Sequence, residues 1–365
     1  MPGRRCPYHE ELPRGALAVL MVALGASGCV SLGPRSIARD GMDYGQAIAD
    51  SWKQQLLLNL VKIRYGDTPV FMEVASVISS YSLETQVDLG ASWQTGVGAL
   101  DTRTLGGSAH YSDRPTITYN PLLGEHFTRS LMTPVSPATV FSLIQSGWRA
   151  DAVFRITVNS ANGIRNRYGG RAGDVDPDFY RLAEGLRKLQ ASGAIGIRVD
   201  RSGPQEAASL LFAGSKLDQG LQQEVSEIRR VLGLRQDTSE FRMAFGLAPS
   251  NDREVALVTR SYLEILFEAA SWIDVPEADV AAQRVRASAA YETEASLGVQ
   301  PLLKISSGRF APRDAFVALR YKGAWFWVDD RDFASKQAFS FLMLLSSLAD
   351  AGPAKPAPIV TIPAG

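Results

Sequence analysis

Cysteine and histidine are almost missing from this chain, at two and three residues in 365. A disulfide-stapled scaffold needs several paired cysteines, so that class is excluded. The histidines, His9, His110 and His126, fall in no spacing used to hold a metal ion. A surplus of either charge is missing too, since 38 Lys and Arg balance 38 Asp and Glu. Without a basic excess there is no electrostatic footprint for nucleic acid. The sequence contains no phosphate loop, dinucleotide fingerprint or nucleophile elbow. Beyond the first thirty residues it also lacks apolar runs of membrane-spanning length, roughly 20 residues. The longest, Phe339 to Leu345, has the size of a helix core. These absences lead us to expect no cofactor, no resident metal and no assigned catalytic residue.

What is present begins at the N-terminus. Arg4, Arg5 and Arg14 supply positive charge, Gly15 to Leu24 is wholly apolar, and Gly25-Ala26-Ser27-Gly28 leads into Cys29. A charged start, a short apolar stretch and a small-residue exit form the pattern read by an export machinery and a signal peptidase. The apolar stretch is too short for a spanning helix, which needs roughly 20 residues.

The segment Leu24-Gly25-Ala26-Ser27-Gly28-Cys29 resembles the lipobox of bacterial lipoproteins, with Ala26 where that family usually has Leu. The resemblance implies that diacylglycerol is joined to the Cys29 thiol, that cleavage precedes it, and that the new amino group is acylated, as by palmitate. Cys6 would then leave with the leader, so no internal disulfide could form. Val30 follows Cys29 where Asp would signal retention on the inner membrane. The resemblance therefore implies an outer-membrane address, facing the periplasm. More broadly, the chain is similar to an envelope lipoprotein family to which no activity is attached.

The pattern after Cys29 predicts an α+β fold of helices and mostly antiparallel strands behind that leader. We divide the chain into a signal peptide at 1–28, a tether at 29–49, a helix and β-hairpin region at 50–135, an α+β body at 136–350 and a Pro/Ala-rich tail at 351–365. Ser51 and Gln54 read as a capping box opening a helix that stops at Gly66. Val70 to Tyr81 reads as a strand. Between Leu83 and Tyr119, Val87, Leu89 and Ala91 alternate with polar residues, which predicts a long antiparallel hairpin.

In the body, Ser136-Pro137 and Asp176-Pro177 are helix starts. Phe154, Ile156 and Val158 read as one face of a strand, and Ile195, Ile197 and Val199 as another. Further helices are expected at 217–232 and 254–272, with a strand at 240–246 between them. A strand is expected at 302–306. Phe316 to Val328 then reads as a hairpin turning at Lys322-Gly323, followed by a buried helix, 333–348, capped by Asp332. A last strand candidate lies at 359–362.

Two clusters are candidate ligand sites. In the hairpin, Arg320 falls opposite Trp325, and Trp327 shares their face, a platform suited to a sugar or peptide. The commoner arrangement would have the helix 333–348 cover those rings. The loop Asn159 to Arg171 carries Asn162, Arg165 and Arg167, with glycines that let amides converge on an anion or glycan. The commoner case is a solvated loop. The hairpin 83–119 is expected as a half-exposed soluble sheet, its alternative being strands of a membrane barrel.

The leading expectation is thus a lipid-anchored envelope protein that binds or assembles without catalysis. Its partners would be the membrane through the lipid, and other envelope proteins or cell-wall glycan. The runner-up is a subunit of an oligomeric envelope or secretion channel. Third comes a hydrolase using paired carboxylates from distant positions.

Overall fold

A helix of 33 residues, α1 (Leu32–Arg64), opens the described chain. The computed structural model describes residues 32–78, 81–92, 102–113, 116–121, 128–166, 176–200, 207–213, 217–288 and 302–349. The signal peptide, Cys29, Arg167 and the 351–365 tail with its strand candidate lie outside these residues. The chain divides into two compact units, 1–52 and 53–365. The segment expected to be an irregular tether is therefore helical from Leu32 onward, and Ser51 and Gln54 sit inside a helix. Pro34 does not prevent this, because a first-turn residue has no intrahelical N–H bond to lose. Gly66, with φ +73, ends the helix as expected.

Four strands follow: β1 (Met72–Ile78), β2 (Tyr81–Ser92), β3 (Thr102–Asp113) and β4 (Thr116–Pro121). β1 pairs antiparallel with β4, and β2 pairs antiparallel with β3. β2 with β3 is the antiparallel pairing expected of the 83–119 hairpin, its tip at 93–101 lying outside the described residues. Ile117 and Tyr119, expected in the same hairpin, instead belong to β4 and pair with β1.

After a π-helical turn at Thr128–Met132 come α2 (Pro137–Gln145), α3 (Ala150–Thr157), β5 (Val158–Ala161), β6 (Ile164–Arg165) and α4 (Pro177–Ala191). The Ser136 hydroxyl caps α2 by accepting from the Thr139 amide, and the Asp176 carboxylate caps α4 by accepting from the Asp178 amide. Phe179, Leu182, Leu186 and Leu189 of α4 are buried, as their spacing predicts.

The chain continues through β7 (Ile195–Asp200), β8 (Ala207–Phe212), α5 (Gln219–Val231), β9 (Glu240–Phe245), β10 (Glu254–Thr259), α6 (Tyr262–Ser271) and α7 (Glu277–Ala281). It closes with β11 (Ser306–Gly308), β12 (Ala315–Tyr321), β13 (Ala324–Asp329) and α8 (Phe333–Ala349). A six-stranded sheet has the order β6-β5-β10-β9-β8-β7, with β9 and β10 parallel and the other neighbours antiparallel. The α+β reading holds.

Three element expectations fail for physical reasons. Phe154 and Ile156 belong to helix α3, where Ala150, Val153, Phe154 and Thr157 are buried at helical spacing. The strand starts only at Val158. The run 254–272, expected as one helix, splits into β10 and α6. β10 lies between β5 and β9 and is buried at five of its six positions. So covered a strand reads as a continuous apolar run, which periodicity cannot tell from a helix. The break was nonetheless marked, because Ser261 and Glu264 form a reciprocal capping box at the start of α6. Third, the strand expected at 302–306 is displaced to Ser306–Gly308. β8 was not singled out in the sequence.

The core joins both faces of these elements. Phe141 meets Phe154 edge-on at 5.5 Å, and Phe212 meets Phe241 at 5.8 Å. The α8 helix enters this core through Phe339, Phe341, Leu342 and Leu345, all buried.

Candidate functional site

The C-terminal end of α3 presents the carbonyls of Arg155 and Ile156, which have no further turn of helix to receive. Arg260, the residue between β10 and α6, fills that role. Its Nη1 donates to Arg155 O at 3.0 Å and to Ile156 O at 3.2 Å. A guanidinium here also meets the negative end of the helix dipole. The Arg260 backbone is fixed as firmly, donating to Thr157 O and accepting from the Val135 amide. The side chain is 1% exposed, the most deeply buried cation described. Asn166 reinforces the same end of α3, donating to Arg155 O and Val158 O.

This corner opens into a cleft with about 70 Å³ of enclosed space and a mouth open to solvent. Its polar lining is Arg155, Arg260, Asn166, Tyr180 and Glu268. The rest is apolar, with Ile265 and Trp272 from the α6 side and Leu302, Leu303 and Leu342 opposite. The Arg155 guanidinium lies over the Tyr180 ring, 5.5 Å from its centre. Trp272 Nε1 donates to Glu268 Oε1 at 3.2 Å, and both residues line the pocket. Among the described lining residues two arginines stand beside one glutamate. Glu268 is the one carboxylate among the described lining residues, whereas hydrolysis by a carboxylate pair takes two. Among the described residues no group of three or more His, Cys, Asp or Glu is placed to hold a metal ion.

Apart from Asn166, which the 159–171 loop contributes to the pocket, the two clusters singled out from sequence lie elsewhere. The expected polar loop is a hairpin: Asn159 to Ala161 belong to β5 and Arg165 to β6, with Asn162 and Gly163 turning between them at φ +46 and +84. The Asn162 amide is committed to the fold. Its Nδ2 donates to Leu232 O and Glu254 O, and its Oδ1 accepts from the Ala256 amide. Arg165 is exposed.

The β12–β13 register is the expected one, with Arg320 opposite Trp325, Ala318 opposite Trp327 and Leu319 opposite Phe326. Lys322 and Gly323 make the turn at φ +46 and +92. Phe326 and Val328 are fully buried, while Trp325 and Trp327 are half-buried and Arg320 is exposed. The Trp face is thus the open side of this small sheet.

Of the pocket residues, sequence reading included Asn166, inside the candidate 159–171 loop, and missed the rest. The only local signal was Arg260 itself, a charged residue between an apolar run and a capping box. No protein-family model, curated protein or solved structure matches the chain.

Proposed function

We propose that this chain is a lipid-anchored cell-envelope protein, held through Cys29 to the periplasmic face of the outer membrane. Its body acts there as a binding or assembly factor, taking its ligand in the pocket beside Arg260. The observation that supports the pocket is the buried guanidinium of Arg260, with Arg155 beside it, in a cleft whose remaining lining is mostly apolar. A ligand matching that chemistry carries a phosphate or carboxylate head on a hydrocarbon body. Glu268 disfavours a doubly charged head set deep, so a single negative charge near Arg155 fits best. The envelope is a source of such amphiphiles, and cell-wall glycan or other envelope proteins would be partners of the remaining surface.

The test is a fluorescence titration of the detergent-solubilised full chain, following Trp272 in the pocket wall. Dodecyl phosphate is the probe, with dodecyl maltoside as the uncharged comparison. We expect saturable binding of the phosphate only, weakened at least tenfold by Arg155→Met with the circular dichroism unchanged. Equal binding of both probes, or an unaltered Arg155→Met titration, counts against the reading. The anchor is tested separately, since Cys29→Ser is expected to abolish palmitate incorporation and release the protein from the membrane fraction.

A further inference from the structure

The β2–β3 ribbon has no place in the pocket reading and does not depend on it. Each strand is 12 residues long. They pair without a bulge from Tyr81 opposite Asp113 to Ser92 opposite Thr102. Odd-numbered positions pair with odd, so the register sorts the residues into two faces. One holds Leu83, Val87 and Leu89 of β2 with Leu105, Ala109 and Tyr111 of β3. The other holds Glu84, Gln86 and Asp88 with Thr104, Ser108 and His110. On the apolar face the charged positions are Asp113 and Arg103, in the last odd-numbered pair at either end.

Among the described residues this sheet has two strands only, so both outer edges are unpaired. β2 and β3 make their contacts chiefly with each other. In water such a ribbon is marginal and its edges recruit further strands. A bilayer removes the first difficulty and sharpens the second. Acyl chains can cover the apolar face, but every edge amide and carbonyl must then be paired within a closed sheet. The length agrees: 12 residues at ~3.4 Å each extend ~41 Å, which at a tilt of ~40° spans ~31 Å, a hydrocarbon core.

We propose that β2 and β3 form a membrane-crossing hairpin, closed into a barrel by the same hairpin from further copies of this chain. The outer edge of β2 in one copy pairs with the outer edge of β3 in the next. Since the smallest such barrels have ~8 strands, the ring takes at least ~4 copies. The even-numbered face lines an aqueous lumen, and β1 with β4 joins the barrel to the body.

The test uses the full lipidated chain in vesicles of phosphatidylethanolamine and phosphatidylglycerol loaded with a small anionic dye. The mass of the detergent-extracted species is measured alongside. We expect dye release and a ring of four or more copies. Leu89→Asp with Leu105→Asp, a directly paired position on the apolar face, is expected to cut release at least tenfold and leave monomers. Gln86→Asp with Ser108→Asp, a pair on the lumen face, is expected to retain the ring of four or more copies, its charges acting only on passage of the anionic dye. Near-ultraviolet circular dichroism and the pocket titration report whether the body of each variant is intact. A monomeric wild type, a wild type without release, or equal losses of the ring from both pairs overturns the proposal.

Discussion

Asn59 and the backbone of Val70 are joined by two hydrogen bonds, both 2.9 Å long: Asn59 Nδ2 donates to Val70 O, and Val70 N donates to Asn59 Oδ1. Asn59 lies on α1 at 2% exposure, and Val70 stands two residues before β1. The pair sets the point at which the chain leaves the helix for the ribbon. Asn59→Ala removes both partners at once and leaves a cavity, which is expected to cost about 2–3 kcal/mol. Urea unfolding checks this. Asn59→Asp, which keeps the acceptor but loses the donor and buries a charge, is expected to be no better.

The hairpin turn at Lys322 carries a pH-sensitive contact. Tyr321 donates its hydroxyl to Asp67, which also sits 2.6 Å from Lys322 Nζ. Burial and this bond push the Tyr321 phenol from 10.0 up to about 12. Its unfolded counterpart ionises at its ordinary value, so the unfolded chain loses the proton first as pH rises. The contribution to stability is therefore complete below pH 10 and lost between pH 10 and about 12. Tyr65 and Tyr262 are raised as well, both chiefly by burial, and act in the same direction. Urea midpoints from pH 8 to 12 should fall, and Tyr321→Phe should remove part of that fall. Asp67 is held below the usual carboxylate range by Lys322 and Tyr321, so its contribution is lost toward acid.

Local signals read well wherever one residue decides one bond. Ser136, Asp176 and Asp332 cap the helices expected of them, and Lys322-Gly323 fixes the β12–β13 register residue for residue. Reading failed where tertiary cover erased the pattern. Buried β10 looked like helix, and Phe154, two residues from Ile156 and four from Val158, looked like strand. The pocket was illegible for a different reason. Arg155, Tyr180, Arg260 and Trp272 come from four separate stretches, and only the packing of α3 against α4, with the β10–α6 segment lining the same pocket, brings them together. Nothing in their spacing says so.

Asn162 shows how a ligand-like residue can belong to the fold. It occupies a left-handed turn position and makes three hydrogen bonds that tie β5 to β10 and to the end of α5. Asn162→Ala is expected to cost about 2–3 kcal/mol, from groups left unsatisfied and from the strained φ. Exposed Arg165→Ala should stay within about 0.5 kcal/mol. If the hairpin instead bound an anion, Arg165→Ala would weaken dodecyl phosphate binding with no change in stability, so both titrations belong on the same protein preparations.

The two faces of β13 make the sharpest contrast in the molecule. Phe326 is fully buried, and its ring meets Tyr65 edge-on at 6.0 Å. Phe326→Ala therefore empties core volume and is expected to cost about 3–5 kcal/mol. Trp325, one residue earlier, faces the other way and is half-buried opposite Arg320. Less apolar area leaves water there, so Trp325→Ala should cost only about 1–2 kcal/mol. Trp327 is held more tightly, since a Cβ on Gly308 would lie 3.2 Å from its ring. Gly308→Ala thus presses on that indole from the position on β11 that pairs with Trp325. Thermal unfolding of these variants measures packing, and titration with a chitin oligosaccharide measures the face as an aromatic platform. If Trp325→Ala abolishes saccharide binding at this small cost in stability, the open face of the hairpin is a second binding surface. If the saccharide does not bind the parent protein, the indoles serve as the lid of a small sheet and the Arg260 pocket stands as the sole candidate of the two.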